Sequence, residues 1–140
     1  MAIKPENNED EPTFFEPIDY EEILKMVGHY REDLREGDTT SAWVSIYQLM
    51  SLISDNKANG IRIYFGRHAE DDKFFPGQHN LIFVATRDVK NPENPTTENS
   101  VDLLDKNKKA AGLAEGSVSY AGLGAEKIPL CPPHCPTTPI

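Results

Sequence analysis

Gly60-Ile61-Arg62-Ile63-Tyr64-Phe65-Gly66, answered after one loop by Leu81-Ile82-Phe83-Val84-Ala85-Thr86, constrains this chain more than any other stretch. In the first run Ile61, Ile63 and Phe65 alternate with Arg62 and Tyr64, the period-two pattern of a strand with one face on a core. The second run is apolar at consecutive positions, as expected of a strand covered on both faces. Between them, Arg67 to Asn80 is charged and contains Phe74-Phe75-Pro76-Gly77, a turn signal carrying two aromatics. A parallel pairing needs a crossover element that this loop is too short and polar to supply, so the two runs predict an antiparallel pair.

Two helices are predicted ahead of that pair. Asp19 caps the first, with Glu22 as capping-box partner and Ile18 stapling onto Ile23. Tyr20, Ile23, Leu24, Val27, Tyr30 and Leu34 then keep helical spacing, and Glu36-Gly37-Asp38 stops the helix near residue 35. Thr39, Thr40 and Ser41 offer caps for the second helix. Its Trp43, Ile46, Tyr47, Met50 and Ile53, flanked by Ala42, Leu49 and Leu52, make a broad apolar face and predict the most buried helix of the chain. Asn59 and Gly60 supply the left-handed conformation that turns it into the first strand.

The flanks read differently. Residues 1–22 hold eight carboxylates against Lys4, which accounts for most of the net charge of −9, and residues 106–140 are rich in Gly, Pro, Ala and Ser. Such segments bury too little apolar surface to offset ordering entropy. The expected organisation is an acidic N-terminal tail (1–17), a small domain (18–105) and a Gly/Pro-rich C-terminal tail (106–140). Val101, Leu103 and Leu104 form a third strand or a helical turn, and Asn91-Pro92-Glu93-Asn94-Pro95 has linker composition. The acidic balance, without a basic stripe interleaved with aromatics, argues against nucleic acid. No run approaches a membrane span and no secretory leader pattern opens the sequence, so a cytoplasmic protein without membrane contact is expected. Two cysteines near one end cannot make a disulfide framework, consistent with a reducing compartment.

Chemically capable side chains crowd in one place, Cys131-Pro132-Pro133-His134-Cys135. Two thiols and an imidazole are zinc-type ligands, and the prolines pre-order the loop. Three ligands leave a tetrahedral site incomplete, so His68, His79, a second copy or a partner would have to add the fourth. A disulfide between Cys131 and Cys135 is the alternative under oxidation, and an exposed peptide with two free thiols is the simplest reading. His68 and His79 bracket the hairpin loop with Glu70, Asp71 and Asp72, which allows a hydrolytic or metal site there, against ordinary surface histidines in a solvated loop. Arg62 and Arg67 flank Tyr64 and could take an anion or pair with Glu32, Asp33 or Glu36. Catalytic triads and phosphate-cradling glycine loops are absent from the sequence.

The segment Ala58-Asn59-Gly60-Ile61-Arg62-Ile63-Tyr64-Phe65-Gly66, with the Trp-bearing helix before it and Leu81 to Thr86 after it, resembles small proteins of Bacteroidetes-type bacteria. Those have a helix, an Asn-Gly-Ile-Arg-Ile-Tyr-Phe-Gly strand and an apolar strand ending in Thr. The resemblance spans about residues 40–88, and the Cys-Pro-Pro-x-Cys tail is similar to the ends of some members. It implies a bacterial family and brings no established activity with it.

The sequence therefore predicts an α+β fold: two antiparallel helices packed on a small antiparallel β-hairpin or three-stranded sheet, with disordered or extended tails. Without a catalytic constellation, the expected function is a non-enzymatic protein-interaction module, an accessory or cargo-type subunit with a protein partner, no cofactor and self-association as an option. The alternatives are a zinc-binding protein or metal-dependent enzyme using Cys131, His134 and Cys135, and an acidic inhibitor or immunity protein of a basic toxin.

Overall fold

A computed structural model describes residues 17–104, 122–123, 128–138 and 140. Its elements run α1 (Tyr20–Arg31), β1 (Ser41–Ala42), α2 (Ile46–Asp55), β2 (Gly60–Arg67), β3 (His79–Arg87), β4 (Val101–Asp102), β5 (Gly122–Leu123) and β6 (Leu130–Cys131). The class is α+β, as the sequence predicts. The expected acidic tail falls outside the described residues, as does most of 106–127.

The chain divides into two units, residues up to Arg35 with Ile140, and residues 36–139. In the first, Asp19 caps α1 as expected, its Oδ1 accepting from Glu22 N at 2.8 Å. The helix ends at Arg31 rather than near 35, and none of its residues is buried. The helix expected to pair with it, α2, belongs to the second unit, where it packs on the sheet.

In that second unit β2 and β3 pair antiparallel, with Ile61 opposite Ala85, Ile63 opposite Phe83 and Phe65 opposite Leu81. β4 and β5 share the other edge of β3, Asp102 opposite Thr86 and Gly122 opposite Val84. Val101 thus begins a strand, not a helical turn, and Gly122, expected in unstructured linker, lies in another. Burial on both faces matches the consecutive apolar run of β3: Phe83 and Ala85 face the core while Val84 and Thr86 are buried on the opposite face.

The core consists of Leu52, Phe75, Ala85, Leu103, Ile128 and Leu130, with Leu49, Ile61, Phe83 and Val101 packed against it. Ile128 and Leu130 come from the segment read as a tail, so the domain extends past residue 105. The reason is a long-range pairing: β6 adds to β1, with Cys131 opposite Ser41 and Leu130 opposite Ala42, and this directs Leu130 inward.

The second helix departs most from expectation. It begins at Ile46, capped by Ser45 rather than by Thr39, Thr40 or Ser41, and it faces inward with Leu49 and Leu52. The larger stripe points outward: Trp43, Ile46, Tyr47 and Met50 are 64%, 65%, 79% and 58% exposed. The narrow leucine stripe fits a core already filled by Ile128 and Leu130. The helix ends in a Schellman turn, Ala58 N donating to Ile53 O at 2.9 Å and Lys57 N to Ser54 O at 3.2 Å. The left-handed residue is Lys57 (φ 51), not Asn59 or Gly60.

The segment with linker composition is organised around Asp88, which is fully buried. Its carboxylate accepts from Lys90 N, Asn91 N and Thr96 N at 2.9, 2.9 and 3.0 Å. Donation by the Thr96 and then the Asn91 amide holds the Asp88 carboxyl below the ordinary carboxylate range.

Candidate functional site

The candidate site lies where the C-terminal loop meets β1 and the β2–β3 loop. Backbone bonds dock the loop: Thr40 N donates to Cys131 O at 2.8 Å and Trp43 N to Pro129 O at 3.0 Å. Past β6 the chain turns sharply, with His134 N donating to Leu130 O at 2.8 Å and cis bonds before Pro132 and Pro133. Gln78, itself buried, donates through Nε2 to Pro132 O at 2.9 Å and to Thr39 Oγ1 at 3.3 Å. Thr39 Oγ1 in turn donates to His79 O.

Cys131 and Cys135 are joined in a disulfide. Cys131 is 5% exposed in β6, whereas Cys135 is exposed in the turn. The exposed peptide with two free thiols is therefore not what the structure holds, and in this state neither sulfur is a thiolate able to bind zinc. Thr40 Oγ1 donates to Cys131 O at 3.2 Å and lies 3.4 Å from Cys131 Sγ. A groove of about 600 Å³ opens beside the loop, lined by Ser41, Ala42, Trp43, Pro129, His134, Cys135 and Pro136.

The structure brings His68, His79 and His134 to this same end of the domain, and neither hairpin histidine is an ordinary surface residue. His68 is 8% exposed. Its Nδ1 lies 3.5 Å from Asp72 Oδ1, and its Nε2 is buried with no hydrogen-bond partner among the described residues. The Phe75 ring separates it from His134, 5.2 Å from the first imidazole and 5.9 Å, edge-on, from the second. Asp72 accepts from Phe75 N at 2.8 Å and Phe74 N at 3.0 Å. These amides, Phe75 foremost, hold its carboxyl below the usual range, with His68 adding to the effect.

Arg67 donates to His79 Nε2 at 2.6 Å. Arginine has no acceptor, so the proton of a neutral His79 sits on Nδ1, which faces buried Asp38 Oδ2 at 3.2 Å. Asp38 Oδ1 accepts from Thr39 N at 2.7 Å and His79 N at 3.0 Å, so this carboxylate ties β1's approach to the start of β3. Among the described residues no three His, Cys, Asp or Glu side chains are arranged to hold a metal ion. His68 and His79 point to separate carboxylates rather than to Cys131, His134 and Cys135.

On the other face of the sheet, Arg62 Nε donates to Asp102 Oδ1 at 2.7 Å and Tyr64 Oη donates to Asp102 Oδ2. Arg62 pairs with β4, not with Glu32, Asp33 or Glu36, and also donates to Ser100 O at 3.0 Å. The hydrogen bond to Asp102 raises the Tyr64 pKa above the ordinary phenol value and the Arg62 pKa with it. A cleft of about 360 Å³ beside Arg62 is lined by Gly60, Thr86, Thr96, Thr97 and Ser100 among others.

Sequence reasoning found the loop and its histidines but missed Asp38, Thr40, Gln78 and Trp43. Nothing local marks them, because their partners lie about 40 and 90 residues away. Among the described residues no helix is long and apolar enough to cross a membrane. Comparison with protein-family models, with curated proteins and with solved structures found no match.

Proposed function

We propose that this chain is a non-catalytic protein-interaction module, an accessory subunit that meets its partner through the outward stripe of α2. The observation that carries this reading is the exposure of Ile46, Tyr47 and Met50 on one helix face, with Trp43 just before it. Single exposed apolar residues are ordinary, but a contiguous aromatic and aliphatic patch is characteristic of a contact surface. The inward face of the same helix already supplies its core packing, so the outward stripe is free to serve recognition. His68 Nε2 is buried, which does not favour hydrolytic chemistry.

Native mass spectrometry of the chain purified from its own host under reducing conditions tests this. A retained protein partner or a homo-oligomer is expected, and it should be lost in Ile46→Glu/Met50→Glu while circular dichroism stays unchanged. A monomer without partner, identical in wild type and variant, would refute the module. The same spectrum reads the zinc alternative, which requires the reduced Cys131–Cys135 pair and predicts a zinc mass that Cys131→Ser releases.

A further inference from the structure

We infer that the Cys131–Cys135 disulfide is a thiol–disulfide exchange site for a dithiol-bearing peptide or protein, a chemistry that shares Trp43 with the α2 contact face and none of Ile46, Tyr47 or Met50. Three features support it: unequal access to the two sulfurs, a hydroxyl beside the less accessible one, and a groove that leads to the other.

Access decides which sulfur of a disulfide is attacked. Cys131 is buried in β6, while Cys135 is exposed and lines the groove with Trp43 and Pro136. An incoming thiolate therefore attacks Cys135 Sγ. The new bond joins the substrate sulfur to Cys135, the Cys131–Cys135 bond breaks, and its electron pair leaves on Cys131 Sγ as a thiolate. Thr40 Oγ1, which donates to Cys131 O at 3.2 Å while the disulfide is intact, lies 3.4 Å from that sulfur and turns its hydrogen to the developing charge. The Thr40 backbone N–H already holds Cys131 O, which keeps the hydroxyl in place. The substrate's second thiol then attacks its own sulfur in the mixed disulfide and releases Cys135 as a thiolate. Two electrons pass from the dithiol to the protein disulfide, and the two dithiol protons pass through solvent to Cys131 and Cys135. The substrate leaves as a disulfide, and glutathione disulfide can reverse the change on the protein.

The fold is suited to survive this step. β6 is held by β1 and by Gln78 on Pro132 O, and the turn by His134 N on Leu130 O, all without the disulfide. Reduction thus leaves Cys131 seated and Cys135 close to it. Trp43 and Pro136 provide an apolar wall, so the fitting substrate carries an aromatic or aliphatic side chain beside its dithiol.

The test uses the oxidised full chain, reduced glutathione as the attacking thiol, iodoacetamide to trap free thiols, and fragmentation mass spectrometry to place each adduct. Glutathione is expected on Cys135 and the alkyl group on Cys131, about tenfold over the reverse arrangement. Equal or reversed placement would overturn the proposal. Thr40→Val should slow formation of the mixed disulfide about tenfold and Thr40→Ser restore it, as expected for a hydrogen bond to a charged group; equal rates in all three would remove Thr40 as a positioning residue. Far-UV circular dichroism is expected to persist on reduction by dithiothreitol while Trp43, the sole tryptophan, changes its fluorescence. Collapse of the circular dichroism would make the disulfide purely structural, and a reduced chain that holds zinc instead of reoxidising with glutathione disulfide would assign the cysteines to metal; either result overturns exchange.

Discussion

Leu130→Ala tests whether the C-terminal segment is part of the fold or an appendage. Leu130 is fully buried, clustered with Leu52, Phe75, Ala85, Leu103 and Ile128. Removing three carbons at about 0.8 kcal/mol each forfeits roughly 2.4 kcal/mol of transfer energy. The cavity adds to that, because all the surrounding side chains but Ile128 come from four other segments of the chain and β6 is tied to β1 on its backbone, which limits collapse. The sum is about 3–4 kcal/mol, within the range for buried leucines. With a urea m-value of about 1–1.5 kcal/mol/M for a domain of this size, the unfolding midpoint should fall by about 2–4 M. Circular dichroism and Trp43 fluorescence should report one coincident transition, since Trp43 N is bonded to Pro129 O. Val89→Ala, at a half-exposed loop position, should shift the midpoint by less than about 0.5 M and serves as control. A shift for Leu130→Ala no larger than that of Val89→Ala would show that residues 128–131 are not seated in the core.

Three further outcomes follow from other parts of the molecule. Lys57→Gly should raise stability by about 0.5–1 kcal/mol in urea titration, because it removes a side chain from a left-handed position while keeping the Schellman bonds; a loss of stability would contradict that assignment. Asp88 and Asp72 have folded-state pKa values below their unfolded values, so their stabilisation is present above about pH 4 and lost as pH falls through the folded values. The unfolding midpoint should therefore decline on acidification below about pH 4, less steeply in Asp88→Asn, and an unchanged slope in that variant would refute the role given to Asp88. Tyr64 has a raised pKa, so the contribution of its bond to Asp102 is present at neutral pH and lost as pH climbs through the folded value; absorbance at the phenolate band should show one tyrosine titrating late, and Asp102→Asn should return it to the ordinary range.

The sequence pattern was sufficient wherever the physics is local. Period-two alternation located β2, the continuous apolar run located β3, and the Asp19–Glu22 cap located the start of α1, because each depends on neighbours within a few residues. It was insufficient where two solutions share one pattern. Helix α2 carries two apolar stripes, and the heavier one, with Ile46, Tyr47 and Met50 and with Trp43 just before it, reads as the inward face if residues 106–140 are set aside as a tail. Once Ile128 and Leu130 fill the core, only Leu49 and Leu52 are needed from α2, and the heavier stripe is left on the surface. One unpredicted strand pair, β1 with β6, thus decides three results together: the orientation of the helix, the burial of Cys131 beside Thr40, and the groove that exposes Cys135. The outward stripe of α2 and the groove at Cys135 are in this sense consequences of the same docking event. Leu130→Ala, which loosens the seating of β6 in the core, should therefore perturb the thiol exchange through less exact placement of Cys131, whereas Ile46→Glu/Met50→Glu should leave it intact.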